Sequence, residues 1–142
     1  MGAVTDNIQV ASLKQVSVSG GDVWHAMKNS DEGFSGFGEA YFSWVNPGVI
    51  KAWKRHLRMT MNLLVPVGCV RFVFWDGFSE ALREEIIGPE SRYVRLTIPA
   101  GIWFGFQGLS AAPSLVLNLA SIVHDPMEVE RLDLGAVNYD WN

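Results

Sequence analysis

The stretch 49–56, VIKAWKRH, carries the side chains best suited to chemistry. Its Val, Ile and Trp content reads as a strand, and strand alternation puts Ile50, Ala52, Lys54 and His56 on one face and Val49, Trp53 and Arg55 on the other. If the first set points inward, a lysine and a histidine lie two residues apart inside the protein. Lys54 is a proton acceptor there only if burial brings its pKa down from about 10.4 toward neutrality, because desolvation disfavours the charged amine. His56 titrates near neutral pH without such help. Two plainer readings stand beside these: Lys54 reaches out of the interior to solvent or a carboxylate, and His56 is a hydrogen-bonded core polar group.

Other polar residues are weighed in the same way. Asn118 interrupts the apolar run LVLNLAS and needs partners if it points inward, where it either orients a hydroxyl of a ligand or bridges backbone groups. His25 and His124 lie outside the stretch that holds Lys54 and His56 and read as structural, although His124 precedes Asp125 near the expected end of a strand. Cys69 is the sole cysteine, which rules out an internal disulfide and a CxxC zinc site and leaves a small buried hydrophobe. The aromatic group Phe34, Phe37, Tyr41, Trp44 and Trp53 either stacks on a flat ring of a ligand or forms core and subunit interface.

The elements that must position these residues are strands. The 142 residues are 49% hydrophobic and only 18% charged, with six Trp and eight Phe, which suggests one domain with a thick aromatic core, a buried subunit face, or both. Short β-rich runs at 7–18, 38–45, 49–56, 60–66, 69–75, 92–98, 102–107 and 114–122 alternate with turn signals such as NPG, WDG and PAG. The segment 79–87, SEALREEII, is expected as a helical turn capped by Ser79. The polar tail 123–142 is expected to lie across the barrel surface or its mouth. A net charge of −4 without a basic run argues against nucleic acid, and no apolar stretch long enough for a membrane span is present. With no leader pattern at the start, a soluble cytoplasmic protein is the expectation.

Gly48, Lys54, His56, Met61 and Gly68 are spaced like the first motif of a cupin, in which two histidines and a glutamate hold a metal; the turn PAGIWF supplies Pro99 and Gly101 of the second motif, with Phe104 at its histidine place. A protonated lysine and a phenyl ring donate no lone pair, so a metal at this site is not expected, and no other cofactor is. From about Phe37 to Trp141, the stretches FGEAYFSWVNPGVIKAWKRH, MNLLVPVGCVRFVFWD, LTIPAGIWFGFQGL, LNLASIVHDPMEVERLDL and the final YDW together resemble the metal-free cupins of the dTDP-4-dehydrorhamnose 3,5-epimerase family. That resemblance implies an all-β cupin jelly-roll barrel (a double-stranded β-helix), a homodimer, and a nucleotide-linked keto-sugar ligand in deoxysugar or surface polysaccharide synthesis.

The family's reaction inverts carbons beside a ketone, which requires a base on one face, an acid on the other and polar groups on the enolate oxygen. In this sequence the base histidine of the family falls at Lys54 and the tyrosine acid near Asn118, and Asp133 is the candidate for the aspartate that orients the base. The resemblance and the local pattern nominate Lys54, His56 and Asn118 as catalytic, and Lys51, Arg71, Trp53 and Tyr139 as substrate-binding, with Lys51 reaching a phosphate as a point charge. Tyr139, near the C-terminus, is placed to fold over the mouth and supply the missing acid. An epimerase or isomerase is the reading adopted, because Lys54, His56 and Asn118 keep polar groups where a filled core would prefer apolar ones; the alternatives are a silent sugar-nucleotide-binding protein and a structural barrel plugged by Met61 and Phe104.

Overall fold

Side chains that are β-branched or aromatic pack well on a pleated, half-buried surface, and Gly and Pro interrupt their runs. The computed structural model describes residues 4–142. Among the described residues, a 3-10 turn (Val4–Asn7) leads into β1 (Gln9–Ser12), β2 (Gln15–Val16), β3 (Val23–Trp24), β4 (Glu39–Val45), β5 (Ile50–His56), β6 (Met61–Val67), β7 (Val70–Trp75), β8 (Leu82–Ile87), β9 (Val94–Ile98), β10 (Trp103–Gly108), β11 (Ser114–Ala120) and β12 (Val129–Arg131), with 3-10 turns at Pro126–Glu128 and Leu134–Ala136. One five-stranded sheet has the order β1-β9-β6-β11-β4 and the other the order β12-β5-β10-β7-β8. All their pairings are antiparallel. The inner faces meet in a core of Val45, Leu63, Val65, Leu96 and Ile98 from the first sheet and Phe72, Phe74 and Phe104 from the second. This is the all-β jelly-roll barrel read from the sequence.

Two expectations about local structure are corrected. The stretch 79–87 is not a helical turn: residues 82–87 form β8, paired with β7 from Val70↔Ile87 to Trp75↔Leu82. A nine-residue helix gains little on its own, whereas here Ile87 is fully buried in the core and Arg83, Glu85 and Arg92 form ion pairs along an exposed sheet edge. Ser79 caps no helix; its amide and that of Phe78 donate to Asp76 Oδ1 in a side-chain-closed turn. The run 7–18 is also not continuous: β1 pairs with β9, and beyond Leu13 the chain pairs instead with β3.

The turn between β6 and β7 depends on Gly68, which has φ of 88° and sits so close to β11 that a Cβ would lie 2.2 Å from Ser114 Oγ. Ser114 Oγ in turn accepts from the Cys69 amide at 3.2 Å, which ties the two sheets together at this end.

The tail 123–142 crosses the outer face of the second sheet. There Trp53, Val73, Trp103, Val137 and Trp141 form a second buried cluster. Trp141 lies 5.5 Å from Trp53 and meets Tyr139 edge-on at 4.7 Å. Arg71 donates to the Trp141 carbonyl at 3.0 Å, and Trp53 Nε1 to the Leu134 carbonyl at 3.2 Å. No helix among the described residues is long and apolar enough to cross a membrane.

Because Trp141 is only 7% exposed and touches both Trp53 and Tyr139, Trp141→Ala is expected to destabilise the protein by about 3 kcal/mol in urea unfolding and to open the tail to proteolysis. A loss under about 1 kcal/mol would show that the tail is not anchored through this ring.

Candidate active site

Strand β5 does not alternate evenly. Opposite β10, Phe104 pairs with Lys54 and Gly105 with Ala52, so Trp53 is an extra residue on β5. The bulged residue finds its partners on the other side, where the Trp53 amide donates to the Leu132 carbonyl and the Leu132 amide to the Trp53 carbonyl, both at 3.1 Å. The bulge shifts the phase of the strand. Ile50, Ala52 and Trp53 all pack in the outer cluster, while Lys51 and Lys54 border the interior and His56 is buried. The even alternation that would place Ile50 and Ala52 beside Lys54 is therefore corrected, and Lys51 joins Lys54 instead. Gly105 makes room for the bulge, since a Cβ there would lie 2.4 Å from the Ala52 Cβ.

Between the sheets lies a cavity of about 600 Å³. It is lined by the apolar Met61, Leu63, Phe72, Phe104, Phe106 and Val116 and by the charged Lys51, Lys54, Arg131 and Asp133. Met61 and Phe104 thus line the space without closing it. Lys51 and Arg131 against the Asp133 carboxylate leave an excess of positive charge at this spot even where Lys54 is neutral, in a chain whose net charge is −4. Such a mouth attracts an anion. Lys51 Nζ donates to the Trp44 carbonyl at 2.8 Å and stands 6.0 Å above the Phe106 ring, which fixes its ammonium at the rim. Lys54 is half-buried, and among the described residues it has no ion pair. Burial pushes its pKa below the usual lysine value, and the nearby Arg131 guanidinium pushes in the same direction against a weaker opposite pull from Glu128.

On the wall across from Lys54, Asn118 is 3% exposed. Its Nδ2 donates to the Tyr41 hydroxyl at 3.0 Å, and its Oδ1 is buried without a partner. Tyr41 Oη accepts that bond, so its own hydrogen remains available to a group in the cavity. Behind the cavity wall, His56 is 2% exposed and stacks parallel to Phe104 at 6.2 Å. Its Nδ1 lies 3.0 Å from both carboxylate oxygens of Glu128, which is itself 3% exposed. Burial lowers the His56 pKa, opposed by the hydrogen bond to Glu128. The ring is then neutral, with Nδ1–H donating to Glu128 and the lone pair on Nε2, a buried atom with no partner.

The structure brings together Lys54, Asn118 and Lys51 and places His56 just beneath them. Of the three other nominated residues, Arg71 and Tyr139 lie elsewhere. Trp53 borders the cavity but is 1% exposed, with its ring held by Trp141 and Leu134. Arg71 bonds to Gln107 and the Trp141 carbonyl on the outer face. Tyr139 does not fold over the mouth; its hydroxyl donates to Glu84, and burial with that carboxylate pushes its pKa up to about 12. Of the aromatic group, Tyr41 and Trp53 border the cavity, whereas Phe37 and Trp44 are 64% and 56% exposed on the outside. The sequence reading missed the pairing of Glu128 with His56, the cavity position of Arg131 and the polar role of Tyr41. The alternation of VERLDL was a visible sign of strand β12; nothing local marked Glu128 as buried.

Among the described residues no three His, Cys, Asp or Glu side chains gather as a metal set. No protein-family model matches the chain. A probable low-salt glycan biosynthesis epimerase of Haloferax volcanii is 31% identical over 113 residues, 72% of each chain. A solved dTDP sugar isomerase from Desulfovibrio desulfuricans superposes with a TM-score of 0.90 at 36% identity, covering 99% of this chain and 94% of that one. The dTDP-6-deoxy-D-glucose-3,5-epimerase of Legionella pneumophila, solved with dTDP-4-keto-L-rhamnose, shares the fold at a TM-score of 0.79 and 19% identity, covering 96% and 79%. On this likeness of sequence and fold, the chain belongs to the dTDP-4-dehydrorhamnose 3,5-epimerase-like family of dTDP-sugar epimerases and isomerases.

Proposed function

We propose that this chain is a nucleotide-sugar epimerase or isomerase that removes and returns a proton on a carbon beside the ketone of a diphosphate-linked keto-sugar. The observation that carries this reading is a half-buried, unpaired Lys54 whose pKa is lowered, set in a cationic cavity facing the Tyr41 hydroxyl. A neutral amine accepts the proton, and Tyr41 on the opposite sheet is placed to return one from the other side. Asn118 Oδ1 is free to accept from a sugar hydroxyl. Lys51 and Arg131 attract the diphosphate, and Lys51 does so as a point charge.

A second reading, a silent sugar-nucleotide-binding protein, draws on the lysine that stands where the family has its histidine base. Deuterium exchange separates the two. Incubated with dTDP-4-keto-6-deoxyglucose in D₂O, the protein is expected to introduce deuterium at C3 or C5, and Lys54→Ala to slow this by about 10²–10⁴-fold. The rate should rise with pH and level off below the ordinary lysine value of about 10.4, because the neutral amine is the active form. Ligand binding without exchange would favour the silent reading.

His56 generates a pH prediction of stability. Its folded pKa is depressed below 6.5, so as the pH falls through that value the unfolded chain takes up a proton that the folded chain resists. Stability is thus present above about pH 6.5 and declines in acid. The urea midpoint should fall from pH 7.5 to pH 5.5, and His56→Gln should flatten that slope; an unchanged slope would remove His56 as its source.

We also assign a homodimer to this reading. Phe42 and Trp44 are 62% and 56% exposed on β4, beside Leu117 and Leu115 of β11, and the N-terminal region adds exposed Val10, Val16 and Trp24. Isolated soluble chains seldom leave such a patch bare. Light scattering is expected to give twice the chain mass of 15.8 kDa, and Phe42→Lys with Trp44→Glu to halve it. A monomeric wild type would refute the assignment.

A further inference from the structure

We propose that Lys54 is also a nucleophile, condensing through Nζ with the ketone of the sugar to form a covalent iminium from which the neighbouring proton is lost. The inference rests on the proposed function and refines it: the same lysine activates the same ketone, and the neighbouring proton then passes to water rather than to Nζ. A histidine at this position can only move protons, whereas a primary amine can replace the carbonyl oxygen.

The surroundings suit that reaction in three respects. Lys54 lines a half-open cavity between two sheets, whose apolar lining of Met61, Leu63, Phe72 and Phe104 lowers the polarity around the amine. Neither a carboxylate nor a carbonyl ties up its Nζ among the described residues, and the adjacent Arg131 is a second cation that favours a free lone pair. A desolvated lysine beside another cationic group is a known way to make an amine nucleophilic at neutral pH. Finally, the Tyr41 hydroxyl, held by Asn118 Nδ2, lies across the cavity with its hydrogen available for the departing oxygen.

The step balances without any oxidant or reductant. The Nζ lone pair forms a C–N bond as the carbonyl π pair moves to oxygen, which leaves as water after taking one proton from the attacking amine and one from Tyr41. The product is a protonated imine. Its positive nitrogen draws electrons from the adjacent C–H bond, the proton passes to water in the cavity, and the C–H pair becomes the C=C of an enamine. Protonation of that carbon from the other side, followed by addition of water, returns the ketone and the free amine, and the proton released in that hydrolysis restores the Tyr41 hydroxyl. The water released at the start is consumed at the end.

Sodium cyanoborohydride reduces iminium ions and leaves ketones, so it traps this intermediate. Incubation of the wild-type protein with dTDP-4-keto-6-deoxyglucose and cyanoborohydride, followed by intact mass and peptide mapping, is expected to give one adduct per chain on Lys54, suppressed by excess dTDP and lost in Lys54→Arg. As a measure on the unaltered protein, ¹⁸O in the substrate carbonyl should wash out into water faster with enzyme than without it. Deuterium exchange at C3 or C5 with neither adduct nor ¹⁸O loss would overturn the iminium while leaving the epimerase reading intact. Labelling confined to the exposed Lys14, Lys28 or Lys51 would overturn it as well. Absence of deuterium exchange, adduct and ¹⁸O loss together would overturn both.

Discussion

The extra residue at Trp53 is the constraint on which the site depends. A regular strand would turn Lys51 and Lys54 to opposite faces, because they are three residues apart. By placing Ala52 and Trp53 on the same outer side, the bulge lets Lys51, Lys54 and His56 all belong to the inner side. It stands only because three distant pieces accommodate it. Gly105 on β10 leaves space for Ala52, Leu132 of the tail satisfies the Trp53 backbone, and Trp141 covers the indole ring. The tail is in this sense part of the architecture of the cavity although its own aromatic residues never reach it.

That arrangement sets charged groups where a purely structural core would put apolar ones. Half-burying a lysine next to an arginine, with no carboxylate in ion-pair contact, costs stability, since both desolvation and like-charge repulsion oppose the ammonium. Both effects lower the pH at which the amine loses its proton and gains a lone pair. His56 follows a different course. Glu128 holds its Nδ1 hydrogen, the ring stays neutral, and the stacked Phe104 separates it from the cavity. The two residues that sequence spacing treats as a pair thus do separate things, with Lys54 facing the ligand space and His56 fixing the tail through the Glu128 that precedes β12.

The fold was legible because its signals are local. Alternating Val, Leu and Phe in β6, β7 and β11, and glycine at the turn before β7, need no distant partner to be read. The failures came where a distant partner decides. Leu82–Ile87 has helix-forming residues, yet pairing with β7 outweighs that preference. Even alternation along β5 failed at Trp53 because the cause of the bulge lies on β10 and in the tail. Lys54 and Asn118 could be found as polar residues in apolar strands, but Tyr41, Arg131 and Glu128 could not be assigned, since nothing in their neighbourhoods shows which side chain from the other sheet or tail they will meet. Tyr139 was displaced for the same reason, as Glu84 on β8 captures its hydroxyl.

The central claim is that the cavity makes Lys54 a neutral amine at accessible pH. The most direct test is NMR titration of the lysine side chains in protein labelled at Cε, with Lys54 assigned by its loss in Lys54→Arg. The account predicts that Lys54 titrates below the exposed lysines and that Arg131→Ala moves its midpoint upward, because a repelling charge has been removed. A Lys54 resonance that titrates together with those of Lys14 and Lys28, unmoved by the change at Arg131, would contradict it.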